Sequence, residues 1–195
     1  MLLLGYKAVP QSADCTPREA QSKAARDVLH LLLDKVNILP TDIKKDKDGR
    51  PFLADNPFAQ FSISHSETHA FCLLSVSDGT LPSERVGLDA EPLDTARSET
   101  KCSALAKRFF TPNEQSQLLD AADIKRMFLE IFTKKEAFAK FTGLGLSKSL
   151  ATLDTANNAF EDQHGVRFLS QTLAAHVVTV CIPASTLPDM RILSF

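Results

Sequence analysis

Apolar positions recur along this chain with two different periods, and the switches between them outline its elements. Leu2 to Val9 is an apolar-rich run of strand length. From Pro17 to Val36 the spacing becomes helical. Val28, Leu29, Leu31, Leu32 and Leu33 supply the apolar side, and Pro17 suits the first helical position. Gln60–Ser64 and Ala70–Ser77 predict two strands around the loop His65–His69. Arg85 to Glu91 alternates cleanly: Val86, Leu88 and Ala90 point one way, Gly87, Asp89 and Glu91 the other, and Pro92 stops the strand. Glu99 to Phe110 predicts a helix. Thr111-Pro112-Asn113-Glu114 then has the form of a capping box opening a further helix to about Ala121.

The longest helical pattern is Phe128 to Leu146, FLEIFTKKEAFAKFTGLGL. At about 100° per residue, Phe128, Ile131, Phe132, Phe138 and Ala139 share one broad face, and Gly143 and Gly145 end the helix. Strands are expected beyond it at about Leu150–Asp154, Val166–Ser170, Leu173–Ile182 and Met190–Phe195, with a turn at Asn157–Asn158. This order predicts an α+β chain of two similar lobes meeting near Arg85–Pro92.

One position breaks the pattern. Lys135 falls in the middle of the apolar face, and Glu136 and Lys140 are helical neighbours at its edge. A lysine there costs free energy unless its ammonium finds a partner or escapes along its stem. The plain alternative is a snorkelling lysine beside an ordinary Glu–Lys helix pair. The acidic strand is a second candidate. Asp89 and Glu91 project from one face roughly 6.5–7 Å apart at the backbone, costly when buried and useful beside a cation. A solvent-facing acidic edge fits the same residues.

Composition sets limits. The chain has 195 residues, 44% hydrophobic and 24% charged, with a formal net charge of −2, so any anion site must be local. Neither nucleic acid nor an anionic membrane is indicated as a partner. Cys15, Cys72, Cys102 and Cys181 contain no C-x-x-C pair, and three of them lie in apolar or helical patterns expected to bury them. No run is long enough to cross a membrane, and Leu2–Leu4 lacks a preceding basic region, so a reducing cytoplasm is expected.

Several familiar chemistries are set aside. Asp46 and Asp48 lack the rest of a calcium loop. His65 and His69 flank a turn without the H-E-x-x-H zinc pattern, and His176 sits among Ala175, Val177 and Val178 as a packed histidine. Gly143-Leu144-Gly145 follows a helix, unlike a dinucleotide loop, and the adjacency of Ser64 and His65 does not make a triad. An acidic strand pair and a Lys-Glu helix pair remain, with a further lysine one turn later. Hard carboxylates suit Mg²⁺ and lysines suit phosphate, which points to phosphoryl-type transfer.

The ordered strings DGRP, FSISHS, VGLDAE, RFFTPNE and FTKKEAFAKFTGLGL resemble those of the 4′-phosphopantetheinyl transferase superfamily, specifically its long, two-lobed, monomeric type. The similarity covers about Gly49 to Leu146. It implies that family's fold, two lobes related by pseudo-twofold symmetry: an N-terminal lobe at 1–88 contacting the nucleotide end, a C-terminal lobe at 89–195 carrying the metal and Lys-Glu motifs, and an active site between them. It implies transfer of phosphopantetheine from coenzyme A to a serine of an acyl or peptidyl carrier protein. By the same resemblance, Asp89, Glu91 and Glu136 would hold Mg²⁺. Glu114 would orient a metal water or assist deprotonation, and Lys135 and Lys140 would contact phosphate. Arg50 and His65 would contact the nucleotide part, and Lys23 or Arg26 would be the basic residue of the first helix. Glu136 and Glu114 both stand as candidates for the base. Phe132 stands where the family usually has tryptophan, and Arg50 where lysine is usual. A coenzyme A or carrier-protein binding module without transfer, and a generic Mg²⁺ phosphohydrolase, are the competing classes.

Overall fold

Two sheets carry the fold, and the same connectivity builds both. The structure is a computed structural model of the chain and describes residues 1–11, 15–39, 42–47, 49–94, 97–143, 150–187 and 189–195. Strand β1 (Leu2–Ala8) leads into helix α1 (Pro17–Lys35), a short hairpin β2 (Ile43–Lys45) and β3 (Pro51–Leu53), and a longer hairpin β4 (Ala59–His65) and β5 (His69–Val76). Strand β6 (Gly87–Pro92) then leads through α2 (Glu99–Phe109), α3 (Pro112–Leu119) and α4 (Ile124–Thr142) to α5 (Phe160–His164) and the hairpin β7 (Val166–Leu173) and β8 (His176–Pro183). In both halves the opening strand lies beside the second hairpin strand, giving the orders β4-β5-β1 and β7-β8-β6. The last strand, β9 (Met190–Ser194), crosses back and pairs parallel with β1, so the end of the chain belongs to the first sheet.

Period-2 alternation decides which face each strand buries. Leu2 and Leu4 of β1 pack with Phe71 and Leu73 of β5 against Leu88 and Ala90 of β6 and Val178 and Val180 of β8. The opposite face of the first sheet takes Leu29, Leu32 and Leu33 of α1, and the opposite face of the second takes α4. The layers thus run helix, sheet, sheet, helix, each fully buried leucine contributing about 1.5–3 kcal/mol.

Helix ends follow local chemistry. Thr16 and Thr111 each cap a helix with proline in its first turn, and Glu19 and Glu114 close the two capping boxes. Gly143 ends α4 in the left-handed conformation at φ 81°. The structure also departs from expectation. Helix α4 begins at Ile124, capped by Asp123, rather than at Phe128. The polar stretch after residue 41 contains the β2–β3 hairpin, and Leu150–Thr152 is a 3₁₀ turn, not the start of a strand. Leu173 ends β7 instead of opening the next strand, because Ala174 and Ala175 form a tight turn at φ 46° and 58°. Asp48 and Leu144–Leu146, including Gly145, lie outside the described residues.

Gly87 sets the distance between β6 and α4. A Cβ there would stand 1.9 Å from the Ala137 carbonyl oxygen. The missing side chain lets strand and helix backbones touch, which brings Asp89 and Glu91 under Glu136 and Lys140.

Candidate active site

Asp89 lies at the centre of this contact, and 5% of it is exposed. Its Oδ1 accepts from Lys140 Nζ at 2.9 Å and from Ser64 Oγ at 2.9 Å. Its Oδ2 is buried and, among the described residues, accepts no hydrogen bond. Lys140, one turn beyond Glu136, also donates to the Ile63 carbonyl oxygen of β4. Glu91, two residues along β6, pairs with Arg97 at 2.9 Å, and the guanidinium of Arg97 lies over the Phe132 ring. Phe132 stacks in turn on Phe128, so the phenylalanine forms an apolar platform beneath a cation.

Glu136 completes the cluster. Burial first, and then the neighbouring Asp89 charge, push its carboxyl up to about 7, against the pull of Lys140. Burial and Asp89 likewise raise Glu91, offset by Arg97. Asp89, with an oxygen unpartnered among the described residues, and the raised Glu91 and Glu136 beside it supply hard oxygen donors of the kind that suit a divalent cation. Among the described residues no three His, Cys, Asp or Glu side chains stand together as a ready metal cage. Lys140 and Arg97 engage Asp89 and Glu91 in that geometry.

A cleft of ≈ 270 Å³ opens beside the cluster, with Arg50, Pro51, Phe61, Glu136, Lys140 and Gly143 among its walls. It brings the β3 and β4 region against α4. Arg50 enters it with its guanidinium 3.5 Å from the Val86 carbonyl oxygen. His65 sits at the exposed end of β4. Partial burial, the Lys140 ammonium and Arg18 hold its imidazole below the ordinary range.

Not every expected residue comes to this place. Lys135 and Glu114 form an ion pair with neither side chain exposed. Lys135 also donates to the Leu153 carbonyl oxygen. Glu114 accepts from Thr111 N at 2.9 Å, Thr155 N at 2.9 Å and Thr155 Oγ1 at 2.7 Å. The charges acting on Lys135 are those of Glu114 and Asp154, whereas Glu136 feels Asp89, Lys140 and Glu91. Consecutive helix residues point about 100° apart, so Lys135 serves the α3 side and Glu136 the β6 side. The pair fastens α3, α4 and the segment at 153–155, with ammonium and carboxylate turned to each other and to Leu153 and Thr155.

On the first helix, the two expected basic residues are exposed. Lys23 is 71% exposed on its side chain and pairs with Asp27, and Arg26 is exposed. The α1 charge that reaches His65 is Arg18. Arg18, Arg97 and Thr155 carry no signal in the sequence, and Ser64 stands there only as a neighbour of His65. Only the alternation of Phe-Ser-Ile-Ser, which puts Ser62 and Ser64 on one face, offered a signal.

Residues 85–182, half of the chain, match the model of the 4′-phosphopantetheinyl transferase superfamily. Among curated proteins, the chain is 31% identical over 158 residues to the L-aminoadipate-semialdehyde dehydrogenase-phosphopantetheinyl transferase of Saccharomyces cerevisiae, covering 74% of this chain and 57% of that one. It is 33% identical over 134 residues to the 4′-phosphopantetheinyl transferase HetI of Nostoc, covering 64% and 52%. To the 4′-phosphopantetheinyl transferase Sfp of Bacillus subtilis it is 35% identical over 104 residues, covering 52% and 41%. The chain therefore spans about half the length of the curated relatives it matches. The matched residues run from the acidic strand β6 through α4 to the strand β8 that pairs with β6, the same segment that assembles the carboxylate cluster. On this evidence the chain belongs to the 4′-phosphopantetheinyl transferase superfamily.

Proposed function

We propose that this chain transfers the 4′-phosphopantetheine group of coenzyme A to a serine hydroxyl of an apo acyl or peptidyl carrier protein, releasing adenosine 3′,5′-bisphosphate. The observation that carries the reading is the cleft lined by Arg50, Glu136 and Lys140, with Lys140 bonded to Asp89 and the Asp89 and Glu91 charges acting on Glu136. Asp89, Glu91 and Glu136 are the residues that would hold Mg²⁺. When bound, the ion supplies Lewis-acid stabilisation of charge on the pyrophosphate.

The chain's own residues do the rest. The half-buried Lys140 ammonium lies within reach of the cleft and offsets phosphate charge, leaving Asp89 to do so. Arg50 and His65 recognise the nucleotide end and its 3′-phosphate, with Arg18 adding positive charge near His65. Glu136 takes the serine proton in this reading, because both oxygens of Glu114 are already engaged by Thr111, Lys135 and Thr155. The reading assigns the reaction to the junction of two lobes, 1–88 and 89–195, acting as a monomer in a reducing cytoplasm. The free state of all four cysteines supports that compartment.

The test is incubation of the protein with coenzyme A, Mg²⁺ and a panel of apo carrier proteins, read by mass spectrometry of each carrier. A carrier gaining one phosphopantetheine is expected, and excess chelator abolishes the gain. Coenzyme A bound without transfer, or broken down with no carrier present, would replace this reading with a binding module or a phosphohydrolase.

A further inference from the structure

Ser64 stands apart from the proposed chemistry but holds its central carboxylate. The side chain lies on β4, and 7% of the residue is exposed. Its Oγ accepts from Ala90 N at 3.2 Å and donates to Asp89 Oδ1 at 2.9 Å. One hydroxyl therefore grips two successive residues of β6, one by its backbone and one by its side chain. A hydroxyl has a single proton, and with the Ala90 amide occupying a lone pair that proton is directed at Asp89. Ser62 makes the corresponding backbone contact two residues earlier, accepting from Leu88 N at 2.9 Å, but it has no carboxylate partner. The two serines join the sheets at this edge, and only Ser64 also orients an acid.

The consequence lies in the two oxygens of Asp89. Oδ1 is engaged by Ser64 and Lys140, while Oδ2 is buried and, among the described residues, accepts nothing. A buried acceptor without a donor is unfavourable, and a cation relieves it. The two donors differ in kind. Lys140 reaches Asp89 through a flexible stem with a side chain 32% exposed, and it also borders the cleft. When an anion in the cleft draws the ammonium away, Ser64 is the donor left on Oδ1. We infer that Ser64 is a positioning residue that locks the Asp89 carboxylate so that Oδ2 alone is presented to a divalent cation. The inference rests on the metal role proposed above for Asp89.

The test uses the whole chain stripped of metal and Mn²⁺ alone as probe, with the free-ion electron paramagnetic resonance signal giving Kd and a thermal melt without metal run alongside. Ser64→Ala is expected to weaken Mn²⁺ binding by about tenfold or more, the usual loss when a group orienting a metal ligand is removed. Ser64→Thr, which keeps the hydroxyl, is expected to restore binding. A merely structural serine would lower the melting temperature and leave Kd unchanged, and that result overturns the inference. If Ser64→Ala does not fold, Ser64→Cys keeps the volume and removes the strong donor, and unaltered Mn²⁺ affinity in that variant overturns it equally. A wild-type chain that binds no Mn²⁺ overturns the metal reading beneath the inference, a result distinct from variants that bind as tightly as wild type.

Discussion

Lys135 and Glu114 meet across the α3–α4 interface as an ion pair with 0% of either side chain exposed. Thr155 and Thr111 complete the acid's hydrogen bonds, and the Leu153 carbonyl takes a further lysine proton. Removing one member of such a pair strands a charge in the interior, whereas removing both strands none.

Lys135→Met is therefore expected to lower stability by about 3–5 kcal/mol. Adding Glu114→Gln should recover part of that loss, because the amide retains acceptor capacity for Thr155 and carries no charge. Equilibrium urea unfolding of the two single variants and the double variant checks this. A Lys135→Met protein that unfolds like wild type yet has lost turnover would return the ammonium to the reaction.

Glu136 couples stability to pH with a defined sign. Its carboxyl, ordinarily at 4.5, is raised to about 7 in the folded chain by burial, Asp89 and Glu91, with Lys140 opposing. A raised folded value means its contribution is fully present below 4.5 and is lost as pH climbs through about 7. The metal-free protein should accordingly melt several degrees lower above that window than below it. Glu136→Gln should remove much of this slope, leaving the part owed to Glu91, which is raised in the same sense. Melting curves against pH in the presence of chelator decide it, and an unchanged slope in Glu136→Gln would locate the titration elsewhere.

The cations at the nucleotide side should separate cleanly. Arg18→Ala removes a charge that holds His65 down, so the His65 titration followed by NMR should move upward. Lys23→Ala should leave it in place and change stability by less than about 0.5 kcal/mol, as expected for an exposed helix pair. Under the proposed reaction, Arg50→Ala should raise KM for coenzyme A more than for dephospho-coenzyme A. Equal increases would detach Arg50 from the 3′-phosphate.

Gly87→Ala tests the contact that builds the cluster. The added methyl would lie 1.9 Å from the Ala137 carbonyl oxygen and 2.8 Å from Phe141 N, both backbone atoms that cannot swing aside. The cost should reach the upper end of the about 1–3 kcal/mol typical of overpacking. Chemical denaturation gives that loss, and Mn²⁺ affinity should fall with it because β6 must retreat from α4. A variant as stable as wild type would mean that strand and helix already have room to part.

What the sequence determined by itself is what depends on near neighbours. The alternation of Val86 to Glu91 predicts which side chains of β6 face the core and which face α4, because side-chain direction on a strand has a fixed period. Thr111 and Glu114 announce their helix start, and Gly143 its end, through hydrogen bonds that span three or four residues. The β2–β3 hairpin is hard to read although the sequence offers Asp48-Gly49 as a turn signal, because its strands are three residues long and β2 is polar and exposed, and the Ala174–Ala175 turn carries no glycine, proline or asparagine to announce it. The site divides along the same line. Asp89, Glu91, Glu136 and Lys140 were legible as motif residues, but the second role of Glu114 depends on Lys135 and Thr155, 21 and 41 positions away. Ser64 reaches Asp89 across 25 positions, and Arg18 influences His65 from another element. A side chain's charge is written in its residue type, whereas its partner is set by which backbones come close enough to touch, and in this protein that was decided where Gly87 lets β6 lie against α4.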